Sequence, residues 1–160
     1  MNTSDETVKV QLEDVWDVMA EQLAVGGTVR FMPKGTSMLP MLRQGIDSVV
    51  LTAAPEKLNI YDLPLYKRAS GQFVLHRVVG IDQNGYIMCG DNQFEREYGI
   101  AHSQILAVAK GFYRGDEYVD CTNEQYRKYC KKRVLNRYLY GKFPKLHGLR
   151  GKLLRKLHLR

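Results

Sequence analysis

The sequence QFVLHRVVGIDQNGYIMC occupies residues 72–89. It is rich in the β-branched, aromatic and long apolar residues that strands favour, and the pair Asn84-Gly85 is typical of a tight turn between antiparallel strands. The segment therefore predicts a hairpin in which a strand over residues 72–81 pairs with a strand over residues 86–89.

Segments of the same character lie on both sides of this hairpin, and Gly-containing turns at Ser70-Gly71 and Arg114-Gly115 separate some of them. Further strands are predicted over residues 28–32, 48–51, 63–66 and 105–113. Short strands with turns between them indicate a mainly β fold. We therefore predict an antiparallel β domain over residues 28–120.

A helix is predicted before this domain, over residues 5–24. Its apolar residues recur at the helical spacing and form one face: Leu12, Val15, Trp16, Met19 and Leu23. Gly26-Gly27 ends the pattern, because glycine readily adopts the left-handed conformation that closes a helix. Residues 1–27 are thus an amphipathic N-terminal helix and its end.

The C-terminal tail, residues 121–160, has a different composition. From Tyr126 onward there are 13 basic residues and no acidic one, within a chain whose net charge is +7. Leucines form one helical stripe there: Leu146, Leu149, Leu153 and Leu157. Such a basic helical tail either packs its leucines on the domain or binds an anionic membrane surface or an acidic partner. Nucleic acid is a weaker candidate, since no recognition motif accompanies the basic and aromatic residues.

Length and motifs exclude several classes of protein. The 160 residues suit one domain with a short appendage, and no apolar run approaches the roughly 18 residues of a membrane span. Residues 1–6 do not begin a secretory signal, so we expect a cytoplasmic protein, peripheral at most at the membrane face. Cys89, Cys121 and Cys130 lack C-x-x-C spacing, and no phosphate loop or dinucleotide turn occurs. Neither a metal site nor a cofactor is expected.

One turn presents a candidate nucleophile. Residues 34–42, KGTSMLPML, place Ser37 beside backbone amides that can stabilise an oxyanion, although such a turn is often only a turn. A serine hydroxyl needs a base, and His76 is the histidine predicted to lie within a strand. On that strand His76 points the same way as Val74 and Val78, which is equally the position of a half-buried structural histidine.

A carboxylate candidate follows the hairpin. Asp91, in Gly90-Asp91-Asn92, either orients an imidazole or caps a turn, and Glu95 and Glu97 come shortly after it.

Three separated segments, residues 35–40 (GTSMLP), 76–80 (HRVVG) and 90–92 (GDN), together resemble the signal peptidase I and LexA-type serine peptidase superfamily. The resemblance covers about residues 28–112 and is closest to the branch that uses histidine, the endoplasmic-reticulum type of signal peptidase. It implies a serine endopeptidase that cleaves a peptide or precursor protein.

The resemblance also implies the site. Ser37 is the nucleophile and His76 the base, and Asp91 matches the G-D-N segment as the acid. The third residue of the histidine branch lies a few positions further on, so Glu95 or Glu97 is the alternative acid. Gly35 stands where related enzymes often have an oxyanion-hole serine, which leaves this role to the N–H of Ser37 and the hydroxyl of Thr36.

Two other functions remain open. A chain that keeps the fold but has lost turnover would be a peptide-binding module. A LexA-like regulator would cleave itself, and Ala24-Val25-Gly26-Gly27 is a loose match to such a cleavage site, but no helix-turn-helix pattern precedes the β domain.

Overall fold

The computed structural model describes residues 12–143. The fold is mainly β, as predicted, and all strand pairs described are antiparallel. The strands are β1 (Val29–Phe31), β2 (Ser48–Ala53), β3 (Pro64–Lys67), β4 (Phe73–Leu75), β5 (Arg77–Asp82), β6 (Gly85–Cys89), β7 (Glu97–Ile100), β8 (Ile105–Arg114) and β9 (Glu117–Asp120). Helix α1 spans Leu12–Ala24 and helix α2 spans Glu124–Lys142.

The strands form two sheets. The larger has the order β1-β2-β8-β3-β4, with β9 also paired to β8, and the smaller has the order β5-β6-β7. The long strand β8 binds three partners and so forms the centre of the larger sheet. One apolar core lies between this sheet and the two helices, and a second lies against the smaller sheet.

Helix α1 packs the face that its sequence predicts. Met19 and Leu23 are buried, and Trp16 lies against the ring of Phe73 with 5.6 Å between ring centroids. The helix ends in a Schellman motif, because the N–H groups of Gly26 and Gly27 donate to the carbonyls of Leu23 and Gln22, each at 3.0 Å.

The predicted strand over residues 72–81 is two strands rather than one. Residues Phe73–Leu75 pair with β3 in the larger sheet, whereas Arg77–Asp82 pair with β6 in the smaller sheet. His76 is the single residue between them, so the chain changes sheets there. Apolar periodicity is the same in both strands, and it therefore gives no sign of a change of partner. The predicted turn at Asn84-Gly85 does join β5 to β6.

Helix α2 begins the basic tail but belongs to the folded domain. Asn123 caps it, since its side-chain oxygen accepts the N–H groups of Gln125 (2.9 Å) and Tyr126 (3.1 Å). Tyr126 and Cys130 are buried in the main core, so the described part of the tail packs on the β domain. The stripe from Leu146 to Leu157 lies outside the described residues. Neither α1 nor α2 is apolar enough, over its described length, to cross a bilayer.

Candidate active site

The turn that carries Ser37 is held at both ends; we call residues 34–42 the serine loop. Gly35 has a φ of +90°, which a residue with a side chain rarely adopts, and its N–H donates to Gln44 Oε1 at 2.8 Å. After the loop, the buried carboxylate of Asp47 accepts the N–H groups of Arg43 (2.7 Å) and Gly115 (2.9 Å). The loop is therefore anchored to the turn between β8 and β9.

The serine loop also rests on the G-D-N segment. The N–H of Asn92 donates to the carbonyl of Ser37 at 2.7 Å, and its side-chain amide donates to the carbonyl of Thr36 at 3.2 Å. A Cβ on Gly90 would lie 2.7 Å from the same Ser37 carbonyl oxygen, closer than van der Waals contact allows. Position 90 thus needs glycine so that the two segments can approach each other.

His76 is buried, with 3% of its surface exposed, and its partner is a carboxylate. Its Nδ1 lies 3.0 Å from Oε1 of Glu97, and the hydroxyl of Tyr66 donates to the same oxygen at 2.7 Å. Arg68 donates two hydrogen bonds to Glu97, from Nε to Oε2 and from Nη2 to Oε1, each of 2.7 Å. The imidazole is therefore oriented by a carboxylate that two other side chains hold in place.

The environment sets the charge of both groups. Burial would raise the pKa of Glu97, but the hydrogen bonds from Arg68 and Tyr66 and the charge of Arg68 together lower it to about 2. Burial lowers the pKa of His76 from its ordinary 6.5, and the neighbouring Glu97 offsets this only in part. At neutral pH the site therefore holds a carboxylate and a neutral imidazole.

These charges decide which imidazole nitrogen carries the proton. An ionised carboxylate only accepts hydrogen bonds, so Nδ1 of His76 must be the donor to Glu97. In the neutral ring Nε2 then has no proton and can accept one. This is the tautomer that a general base requires.

The carboxylate on the imidazole is Glu97, the alternative acid, and not Asp91, the leading candidate. Both oxygens of Asp91 bind Arg77 instead, at 2.8 Å from Nε and 2.7 Å from Nη2, and Tyr129 donates to Oδ2 at 3.0 Å. The exposed Glu95 contributes its backbone carbonyl, which accepts the thiol of Cys89 at 3.2 Å.

Strand alternation explains this correction. Arg77 pairs with Cys89 across β5 and β6, so the side chain of Asp91, two residues beyond Cys89, is on the Arg77 face. His76 is one residue from Arg77 and points to the other face. Glu97 is on that face, because it pairs with Met88, which in turn pairs with Val78.

The same register relates His76 to Ser37. Extending the β5–β6 pairing by one position places His76 opposite Gly90, and directly opposed residues in an antiparallel pair have their side chains on the same face, about 5 Å apart. The carbonyl of Ser37 lies over Gly90. The Ser37 backbone and His76 thus both lie beside Gly90, and no hydrogen bond joins the Ser37 and His76 side chains in the described structure.

The predicted oxyanion donors differ in their surroundings. Within residues 12–143 the N–H of Ser37 donates to no acceptor, and neither does the hydroxyl of Thr36. Thr36 is exposed, whereas Ser37 is half-buried between the loop and the G-D-N segment. The Ser37 amide is therefore the better placed of the two donors.

Helix α2 contributes to this site in a way that no sequence pattern predicts. Arg133 donates from Nε to the carbonyl of Asp91 (2.7 Å) and from Nη2 to that of Leu39 (3.2 Å), which links the G-D-N segment to the serine loop. Arg137 makes a second bond to the Asp91 carbonyl, at 2.9 Å. A helix whose inward face carries arginines has no apolar stripe at these positions, so periodicity does not reveal it.

Metal-binding geometry is not found among residues 12–143, where no three His, Cys, Asp or Glu side chains converge. Cys89 is buried at the end of β6, and its burial raises the pKa of its thiol. In comparisons with known proteins, no protein-family model matches the chain, and no significant match is found among curated proteins.

Proposed function

We propose that the protein is a serine endopeptidase in which Ser37 is the nucleophile, His76 the general base and Glu97 the residue that orients His76. The observation that carries the proposal is the bond of 3.0 Å between Nδ1 of the buried His76 and Glu97, because it leaves Nε2 as the proton acceptor. A buried structural histidine has no need of a carboxylate that is itself held by an arginine and a tyrosine.

The reaction follows from these roles. Ser37 Oγ attacks the carbonyl carbon of a peptide bond while its proton passes to Nε2 of His76. The imidazolium that forms is stabilised by the ionised Glu97, and the oxyanion accepts the N–H of Ser37. The imidazolium then protonates the leaving amine, and an acyl-enzyme remains. Water, deprotonated by His76, releases the acid and regenerates the serine.

The side chains of Ser37 and His76 have no direct hydrogen bond in the free protein. Catalytic hydrogen bonds of this kind commonly tighten only when substrate is bound. A peptide lying along the exposed side of the serine loop would limit the rotamers of Ser37 and favour a hydrogen bond from its hydroxyl to Nε2 of His76. The proposed substrate class is accordingly a peptide or precursor protein that presents an extended segment to this loop.

The position of the enzyme in the cell is part of the proposal. Thirteen basic and no acidic residues from Tyr126 onward favour a peripheral location at an anionic membrane face. Co-sedimentation with phosphatidylglycerol vesicles, compared with phosphatidylcholine vesicles at the same salt concentration, tests this location separately from catalysis.

The catalytic proposal is tested by labelling with a fluorophosphonate probe between pH 5 and 9. We expect labelling in the native chain and none in Ser37→Ala or His76→Ala. Its rate should follow the neutral form of His76 and reach half of its maximum below pH 6.5, the ordinary pKa that burial lowers. Ser48→Ala is a control, because Ser48 lies in β2 and accepts a bond from Arg30.

Two other results would support a different function. A folded chain that takes no label at any pH, with or without vesicles, would contradict the proposal and favour a peptide-binding module. A shortened product formed by the purified chain alone, and absent from Ser37→Ala, would favour a self-cleaving regulator.

A further inference from the structure

A second site lies between α2 and residues 89–96, on the other side of the G-D-N segment from His76. It is an open cleft, which we call the arginine cleft. Three arginines line it together with Cys89, Asp91 and Phe94; they are Arg96, Arg133 and Arg137. The proposed peptidase mechanism uses none of these arginines as a catalytic residue.

The positive charges in the arginine cleft are not neutralised. Nε of Arg133 and Nε of Arg137 both donate to one oxygen, the Asp91 carbonyl, so two guanidinium groups lie side by side. Their other acceptors, the Leu39 carbonyl and the Asn92 side chain, are also uncharged. Within residues 12–143 none of the three arginines forms an ion pair with a carboxylate.

The one carboxylate of the cleft is already occupied. Asp91 binds Arg77 through both oxygens, and this pair is buried, with 0% and 2% of the two side chains exposed. Burial lowers the pKa of Arg137, and the adjacent charge of Arg133 lowers it further. An anion that enters the cleft would remove this repulsion.

The unused hydrogen-bond donors match one class of anion. After the bonds to backbone and amide oxygens, Nη1 of Arg133 and Nη1 of Arg137 have no acceptor among the described residues. Planar guanidinium groups bind phosphate oxygens through paired N–H donors.

Aromatic rings hold two of these groups in position before any ligand arrives. Arg137 lies 4.6 Å from the ring centroid of Phe94, and Arg96 lies 5.2 Å from that of Tyr138. Both rings are about half exposed, at 49% and 43%, so the mouth of the cleft combines arginine with partly exposed aromatic surface. Side chains held in this way lose less conformational entropy when they bind.

We propose that the arginine cleft binds a phosphate group, carried either by a small soluble molecule or by the head group of an anionic phospholipid. The proposal does not rest on the peptidase proposal, since the cleft lies on another face of the G-D-N segment and its arginines have no catalytic role.

The first experiment is isothermal titration calorimetry of the full chain with inorganic phosphate, in a buffer without phosphate. We expect saturable binding that Arg96→Gln and Arg137→Gln each weaken about tenfold, because each removes a charged donor. Lys131→Gln and Lys132→Gln are matched controls. Both residues are exposed on α2, the helix that carries Arg137, and each change removes one positive charge. Arg96 contacts only the Tyr138 ring among the contacts described, so Arg96→Gln should preserve the fold, which circular dichroism can verify.

The second experiment identifies the source of the phosphate. The same variants are sedimented with phosphatidylglycerol vesicles, with phosphatidylcholine vesicles as the neutral reference. Vesicle binding that falls in Arg96→Gln and Arg137→Gln more than in the lysine variants assigns the site to a lipid head group. Phosphate binding with no such effect on vesicles assigns it to a soluble ligand. The proposal would be overturned if the arginine and lysine variants lost binding equally. It would also be overturned if the native chain bound neither inorganic phosphate nor the vesicles.

Discussion

Arg68–Glu97 and Arg77–Asp91 are the same kind of pair in two different environments. Each arginine donates two hydrogen bonds to its carboxylate at 2.7–2.8 Å. The side chains of the first pair are 34% and 23% exposed, whereas those of the second are 0% and 2% exposed. The first carboxylate also binds a histidine, and the second binds a tyrosine of α2.

The difference in exposure distinguishes a pair suited to a chemical role from a pair suited to a structural one. A carboxylate that keeps some contact with water can accept a change in its neighbour's charge during a reaction without exposing a buried ion. A fully buried pair has no such freedom, because removing either partner leaves an uncompensated charge in the core. We therefore expect Glu97 to matter for activity and Asp91 for stability.

The largest expected effect is that of Glu97→Gln on activity. Loss of the acceptor charge removes the preference for the Nδ1-protonated tautomer and the stabilisation of the imidazolium, so labelling by the fluorophosphonate probe should slow by about 10²–10⁴-fold. Glu95→Gln is the matched control, since it makes the same change two residues away at an exposed position. Equal rates in the two variants would refute the role of Glu97.

The next effect is that of Asp91→Asn on stability. The free energy of unfolding in urea should fall by about 3–5 kcal/mol, because Arg77 keeps its charge inside the core without a counterion. The double variant Asp91→Leu with Arg77→Met should lose less free energy of unfolding than Asp91→Leu and Arg77→Met lose when their separate losses are added. A single variant that unfolds at the same urea concentration as the native chain would show that the pair is not structural.

Arg68→Gln should change the pH dependence more than the fold. The charge of Arg68 is one of the factors that lower the pKa of His76, so its removal raises that pKa and moves the acid limb of the labelling profile to higher pH. Lys57→Gln, an exposed change in the loop before β3, should leave the profile where it is. A shift to lower pH would contradict the assigned electrostatics.

The smallest effect concerns the pH dependence of stability. The pKa of His76 is lower in the folded than in the unfolded state, so the unfolded chain binds more protons between the two values. The contribution of His76 to the free energy of unfolding is complete above about pH 6.5, and it is lost as the pH falls through the pKa of the folded state. His76→Gln should flatten this part of the curve, measured by urea unfolding at several pH values; an unchanged slope would assign the proton to another group.

Sequence patterns predicted several local features of the fold because they reflect short-range rules. The turn around Ser37, the hairpin at Asn84-Gly85 and the end of α1 at Gly26 depend on backbone preferences of a few adjacent residues. Glu97 was only an alternative to Asp91, yet alternation along β5 separates His76 from Arg77 and would have favoured Glu97 had the pairing register been known. No local signal marked Arg133, whose bonds reach 42 and 94 residues along the chain.

The sequence by itself determined the mainly β class, the apolar face of α1, the candidate pair Ser37 and His76 and the short set of acids that contained Glu97. Only the tertiary structure decided which acid meets the imidazole, that the chain changes sheets at His76 and that the basic tail begins with a helix packed on the domain. The physical reason is the distance along the chain over which each kind of interaction acts. Backbone propensity and side-chain periodicity act over a few residues, whereas ion pairing and burial depend on which distant segments the strand register brings together.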